Sequence, residues 1–294
     1  SIPSAVSALV TPAGIIHRLY MGDSGGAVWR VDLPESRGGD DNHRRDHWFI
    51  TKLADLGFDA AESGGSAVDD RRFFHSPDVV HSYDQFGEFD GVLLQSGNRE
   101  DPNETLVENA LFYIKDRQIA TDSATVRAEN NVKNPPGRFH YTGLLDQTTC
   151  ILGTENAGAA TGEGSFTCGD RSLKSGWILR FAEPGEKGLS TPLTDGGRVF
   201  ASTFVPGEVT ACSGRQGRGL LHVLHLKNAT AVANQQRLYE IGPGIPSAAM
   251  PVGDAIYLPG GGLDLYDLDG DGVRDTVKLL PSQAGGVYRT YWRE

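Results

Sequence analysis

The chain of 294 residues holds three cysteines and two methionines, and no apolar run in it comes near the length of a membrane-crossing helix. Such a helix needs about 20 consecutive apolar residues, so no transmembrane segment is expected. The thiols stand at Cys150, Cys168 and Cys212, with no C-x-x-C pair and no Cys/His metal spacing, which argues against structural zinc. Basic residues are also short: 27 Lys plus Arg face 38 Asp plus Glu, for a net charge of −11 and a pI of about 5.2. A chain of that sign repels the phosphate backbone, so nucleic acid is not an expected partner. Phosphate-loop and G-x-G-x-x-G signatures leading into a helix are lacking. Helix-period patterning is scarce, its best stretch being 121–132. No signal peptide opens the chain, so either an export signal has been removed or, the favoured expectation, this is a fragment of a longer protein.

Glycine (38) and proline (15) are plentiful, as in many short strands joined by turns. HRLYMGD (17–23) and AVWRVDL (27–33) are alternating runs split by Ser24-Gly25-Gly26, a hairpin signature. GVLLQSG (91–97), ALFYIKD (110–116), GWILRFA (176–182), RVFASTFV (198–205) and LLHVLHL (220–226) continue the pattern, followed by AIYLPGG (255–261) and LDLYDLD (263–269). A loose repeat links them, Ile2-Pro3-Ser4-Ala5 recurring as Ile245-Pro246-Ser247-Ala248. Units then start near 2, 74, 189 and 244. Residues 1–294 are expected to form one all-β domain, a β-propeller or the C-terminal portion of one, with about four blades. Cys150 and Cys168 bracket a Gly/Ser/Thr-rich segment. Whether they are bridged, and where Cys212 goes, the sequence leaves open.

The sharpest local motif is Asp267-Leu268-Asp269-Gly270-Asp271-Gly272-Val273-Arg274-Asp275. Ca²⁺ takes six to eight oxygen ligands in a flexible shell. Asp267, Asp269, Asp271 and Asp275 would converge on one centre, Gly272 would permit the sharp bend and Val273 would offer its backbone carbonyl. Position 12 of the loop is Lys278, so an inter-strand Ca²⁺ loop is expected here and not a full EF-hand. Without a cation the four carboxylates would repel one another. Gly22-Asp23-Ser24-Gly25-Gly26 matches the segment around a serine-protease nucleophile, but His17 is the sole histidine before it, and a hairpin turn accounts for the same residues. His43 and His47 lie in a charged loop, and His222 and His225 would face opposite sides of a strand. Trp29, Trp48 and Trp177 read as blade packing, and Asp101-Pro102-Asn103-Glu104 as a turn before a second cation site.

Several segments, taken in order, resemble the C-terminal region of the PilY/PilC family of type IV pilus tip-associated proteins. They are Tyr20-Met21-Gly22-Asp23 with Gly26-Ala27-Val28-Trp29-Arg30-Val31-Asp32-Leu33, then Ser96-Gly97-Asn98-Arg99-Glu100 leading to Asn109–Asp116. Gly176-Trp177-Ile178-Leu179, Gly185-Glu186-Lys187, Thr203-Phe204-Val205-Pro206 and Cys212 follow. The resemblance implies a modified, quinoprotein-like β-propeller, a variable N-terminal part outside this chain, and a role in pilus assembly, retraction control, surface adhesion and twitching motility. It implies minor pilins and a host or abiotic surface as partners, and a place at the pilus tip, cell surface or outer membrane of a Gram-negative bacterium. It also ties a Ca²⁺ loop of the Asp-x-Asp-x-Asp-Gly-x-x-Asp kind to that control, matched here by Asp267, Asp269, Asp271 and Asp275. Two other readings stand beside it. One is a quinoprotein-type dehydrogenase with a Ca²⁺-bound quinone, although such enzymes carry an adjacent cysteine pair that this chain lacks. The other is a surface adhesin or lectin unrelated to pili.

Overall fold

The computed structural model describes residues 1–11, 13–33, 48–57, 66–119, 139–151, 175–207, 217–232, 236–252 and 255–258. Three four-stranded antiparallel meanders follow one another along the chain. The first sheet is β1 (Ser7–Val10), β2 (Ile16–Gly22), β3 (Ala27–Asp32) and β4 (Phe49–Asp55). The second is β5 (Asp78–Asp84), β6 (Gly87–Gln95), β7 (Ala110–Asp116) and β10 (Gly176–Arg180). The third is β12 (Leu193–Asp195), β13 (Arg198–Val205), β14 (Arg218–His225) and β15 (Leu238–Pro243), with β11 (Lys187–Gly188) also pairing to β13. A two-stranded sheet, β16 (Met250–Val252) and β17 (Ala255–Tyr257), comes last.

The first strands β1, β5 and β12 touch in series. The Thr194 backbone N–H donates to the Asp78 carboxylate and the Ser7 hydroxyl to the Pro77 carbonyl. The sheets therefore radiate from a shared inner edge, the architecture of a β-propeller. Between β7 and β10 the chain leaves the second sheet and returns. On the way β8 (Phe139–His140) adds a parallel strand beside β4, and β9 (Leu145–Asp146) does the same beside β10.

A separate core fills each gap between successive sheets. Tyr20, Val28 and Leu53 meet Val92, Phe112 and Ile114 between the first and second. Tyr113, Trp177 and Leu179 meet Val199, Ala201 and Leu224 between the second and third. Phe200, Leu221 and Tyr239 meet Ile256 beyond the third. Strand β7 explains its own sequence: Ala110, Phe112 and Ile114 point one way and Leu111 and Tyr113 the other, so both faces are buried and the run is continuously apolar.

The outer face of the first sheet differs. Ala8, Leu19, Val31 and Ile50 stand opposite one another across its four strands. At the far end of that row Ile50 is 60 % exposed, and Trp48, two residues earlier on the same side, is 53 % exposed. The rest of the row is covered: Val31 is buried and Ala8 and Leu19 are half-buried.

Candidate functional site

The aspartate loop 267–275, with Asp267, Asp269, Asp271, Val273 and Asp275, lies outside the described residues, as do His43, His47, the stretch 121–132 and the run 263–269. Among the described residues, no group of three or more His, Cys, Asp or Glu side chains is placed to hold a metal ion. None of their helices is long and apolar enough to cross a membrane. Cys150 is fully buried and disulfide-bonded; Cys168 and Cys212 lie outside the described residues.

Gly22-Asp23-Ser24-Gly25-Gly26 is the turn between β2 and β3. The Asp23 carboxylate accepts the Gly25 and Ala27 backbone N–H groups at 2.9 and 2.8 Å and the Trp29 indole N–H at 2.8 Å. Gly26 has φ of 83°, and a Cβ there would stand 2.4 Å from Gly57 Cα, so only glycine fits. Ser24 Oγ lies 3.0 Å from Ser1 Oγ. The motif is occupied with holding the turn. The three tryptophans are apart: Trp29 braces this turn, Trp48 is exposed, and Trp177 is buried with its N–H on the Leu226 carbonyl at 2.8 Å. His222 is buried and His225 exposed, on opposite sides of β14.

Asp101–Glu104 is cradled around a cation of the protein's own. The Lys187 ammonium donates to the Asp101 carbonyl at 3.3 Å and to the Glu104 carbonyl. Burial pushes the Lys187 amine down, and Glu104 and Asp101 oppose that.

Two buried polar clusters join the sheets. Between the first and second, Arg18 bonds Asp32 at 2.9 Å and also Asp90, while Arg30 bonds Asp32 at 2.8 Å and Asp116 at 2.7 Å. The Tyr20 hydroxyl lies 2.9 Å from Asp90 and 3.0 Å from Asp116. Burial raises the Tyr20 hydroxyl, and the two aspartates raise it further, so it stays a donor. Near the third sheet, Glu186 accepts the Thr203 hydroxyl at 2.6 Å and lies 2.7 Å from His222 Nε2. Burial pushes the Glu186 carboxyl up, but His222, Thr203 and the Glu183 N–H together hold it below the ordinary carboxylate range.

At one end of the sheets, backbone bonds run from turn to turn. They link Phe73 to Asp23, Gly97 to Arg72 and Gly188 to Ser96 at 3.0, 2.9 and 2.8 Å. A two-lobed cleft opens there, among residues 67–72, 98–109 and 181–186. One lobe, of about 330 Å³, takes in Ala67, Asp70, Arg72, Asn98 and Glu104. The other, of about 420 Å³, takes in Val68, Phe181, Pro184 and Glu186. Leu106, Val107 and Asn109 line both and form the ridge between them. Clefts where loops gather on a rigid scaffold are the usual place for binding.

No family model matches the chain, and no curated protein matches it. A solved structure does. The crystal structure of the Pseudomonas aeruginosa PilY1 C-terminal domain aligns over 87 % of this chain with a TM-score of 0.55 and 16 % sequence identity. This chain has the fold of that domain. It spans 58 % of the PilY1 domain's length.

Proposed function

We propose that the chain is a type IV pilus-associated β-propeller module that works by binding and assembly, with one Ca²⁺ held by Asp267, Asp269, Asp271, the Val273 carbonyl and Asp275. The observation that carries this reading is the shared fold with the PilY1 C-terminal domain over 87 % of the chain, which meets an independent sequence resemblance to the same family. The partners that follow are pilus subunits and a surface outside the cell. The role of Ca²⁺ is to neutralise the aspartates and order the 267–275 loop, so that a competent surface persists.

Calorimetric titration with Ca²⁺, beside the Asp267→Ala/Asp271→Ala variant, tests the metal assignment. One site per chain is expected, lost in the variant. Equal heats from both proteins, or none from the parent, would remove Ca²⁺ from the reading. Complementation of a pilus-deficient strain with the same variant then reads the pilus role: reduced surface piliation is expected, and unchanged piliation and twitching would overturn the link.

A further inference from the structure

The loop that crests the cleft is rich in acceptors and short of donors. Asp101-Pro102-Asn103-Glu104 carries two carboxylates, and its proline has no N–H to give. The backbone turns the Asp101 and Glu104 carbonyls onto a single point, and that point is filled by Lys187 Nζ. The ammonium lies 3.3 Å from the Asp101 carbonyl oxygen and 3.9 Å from Glu104 Oε2, and its side chain is fully buried. Carbonyls and a carboxylate gathered around one centre are the ligand set of a cation. Here the cation is covalently part of the chain.

That cation arrives from a different sheet. The loop joins β6 to β7 in the second sheet, whereas Lys187 belongs to β11, which pairs with β13 of the third at Lys187–Phe204 and Gly188–Thr203. The residues on either side fix where the ammonium stands. The Glu186 carboxylate grips Thr203 and His222 on the third sheet, at 2.6 and 2.7 Å. The Glu186 carbonyl accepts the Asn109 side-chain amide at 3.3 Å, and Gly188 N–H donates to the Ser96 carbonyl at 2.8 Å. Strand β11 is thus bolted to both sheets, and the Lys187 stem enters the loop from a fixed backbone.

The count of donors and acceptors fits an ammonium. Its three N–H groups meet two carbonyls and one carboxylate oxygen. Ca²⁺ asks for six to eight oxygens, so three fixed ones hold it poorly. What the ammonium steadies is the ridge of the cleft. Glu104, whose carbonyl faces Lys187, caps the Leu106 and Val107 N–H groups with Oε1, the latter at 2.9 Å. Leu106 is thereby held between the two lobes at 63 % exposure.

We propose that Asp101–Glu104 is an ammonium-binding loop, filled from the third sheet by Lys187, and that this built-in cation sets the Leu106–Val107 ridge. The cleft is then complete only while the second and third sheets are docked, and its ridge takes its shape without a metal. The inference stands apart from the aspartate loop and from the pilus reading.

The test is chemical rescue, read by hydrogen exchange at the Leu106 and Val107 amides of the isotope-labelled full chain. Lys187→Ala removes a piece the size of n-propylammonium, which is therefore the probe, with n-propanol as its neutral counterpart and Ca²⁺ as the metal control. Lys187→Met keeps the stem and loses the charge. In both variants the two amides should exchange at least about tenfold faster than in the parent, while the Val28 and Leu53 amides of the first sheet keep their rates. Propylammonium should slow the exchange of Lys187→Ala back towards the parent, and n-propanol and Ca²⁺ should not. The proposal is overturned if Lys187→Met exchanges as the parent does, since the apolar stem alone would then hold the ridge. It is overturned equally if propylammonium leaves Lys187→Ala unchanged, or if Ca²⁺ or n-propanol restores it. Faster exchange at Val28 and Leu53 as well would mean that Lys187 holds the whole fold and not the ridge, and would also sink it.

Discussion

The gap between the first and second sheets and the gap between the second and third are closed by different means. In the first, two guanidinium groups and three carboxylates are buried among apolar neighbours, and the Gln118 and Ile119 carbonyls each accept one further guanidinium N–H at 2.8 and 2.7 Å. In the second, Trp177 lies against Tyr113 with ring centroids 5.7 Å apart and its indole N–H bonds the Leu226 carbonyl, while the Gln95 side-chain amide donates to the Ser190 and Ser202 carbonyls at 2.7 and 3.0 Å. A tryptophan contact tolerates small rotations. A guanidinium with fixed directions to carboxylates on two sheets does not. The ionic gap sets the angle between blades, at a desolvation cost that the tryptophan contact avoids.

The largest effects should come from emptying either gap. Trp177→Ala should cost about 3–5 kcal/mol through lost burial and a cavity. Arg30→Ala should cost a similar amount, about 3–5 kcal/mol, by removing the guanidinium that Asp32 and Asp116 share and leaving buried negative charge under-compensated. The two are told apart by a cycle read in urea denaturation. Removing Asp116 as well should return part of the Arg30→Ala loss. Removing Tyr113 beside Trp177→Ala should add to the loss. If the Arg30/Asp116 double variant loses the full sum of its singles, the ion pairs do not act as a unit.

A smaller effect is expected at the third sheet. Glu186→Gln keeps the shape but weakens two charge-assisted bonds, for about 1–3 kcal/mol at neutral pH. Because the folded carboxyl lies below its unfolded value, the stabilisation is present above about pH 4.5 and fades as pH falls through the folded value. The variant and the parent should therefore converge in acid, and a constant gap from pH 7 to pH 3 would refute this account. The smallest is at His75, whose imidazole burial, aided by Arg99, brings down to about 4 from 6.5. Between those values the unfolded chain binds a proton that the folded one does not, so stability should fall as pH drops through that window. His75→Asn should flatten that part of the curve.

Much of the fold was legible where strands are buried on both faces or alternate cleanly. RVFASTFV and ALFYIKD coincide residue for residue with β13 and β7. β6 was read four residues short: GVLLQSG starts at 91, while the strand starts at Gly87. Glu88-Phe89-Asp90 looks like turn material because a charged residue in a strand usually faces water. Asp90 instead faces Arg18, and that partner lies 72 positions away in sequence. The same holds for Arg30 with Asp116, and for Lys187, whose ammonium serves a loop over 80 positions earlier. Alternation shows that a polar face exists, and only the neighbouring sheet decides whether it meets water. The cleft was not legible at all, since it is assembled from three separate connections.

The excursion between β7 and β10 has a mechanical consequence. It starts and ends on the second sheet, yet β8 pairs with β4 at Ala54–Phe139 and Asp55–His140 on the first. Tyr141 then lies under the Arg71 guanidinium at 5.0 Å, and Leu144 is sunk in the core between the two sheets. Pulling the two blades apart stretches a covalent strap that is sewn to both, so load reaches the β4–β8 hydrogen bonds only after the interlocked core has begun to open. Toughness under tension then comes from the order in which contacts give way, a property that resting stability does not measure.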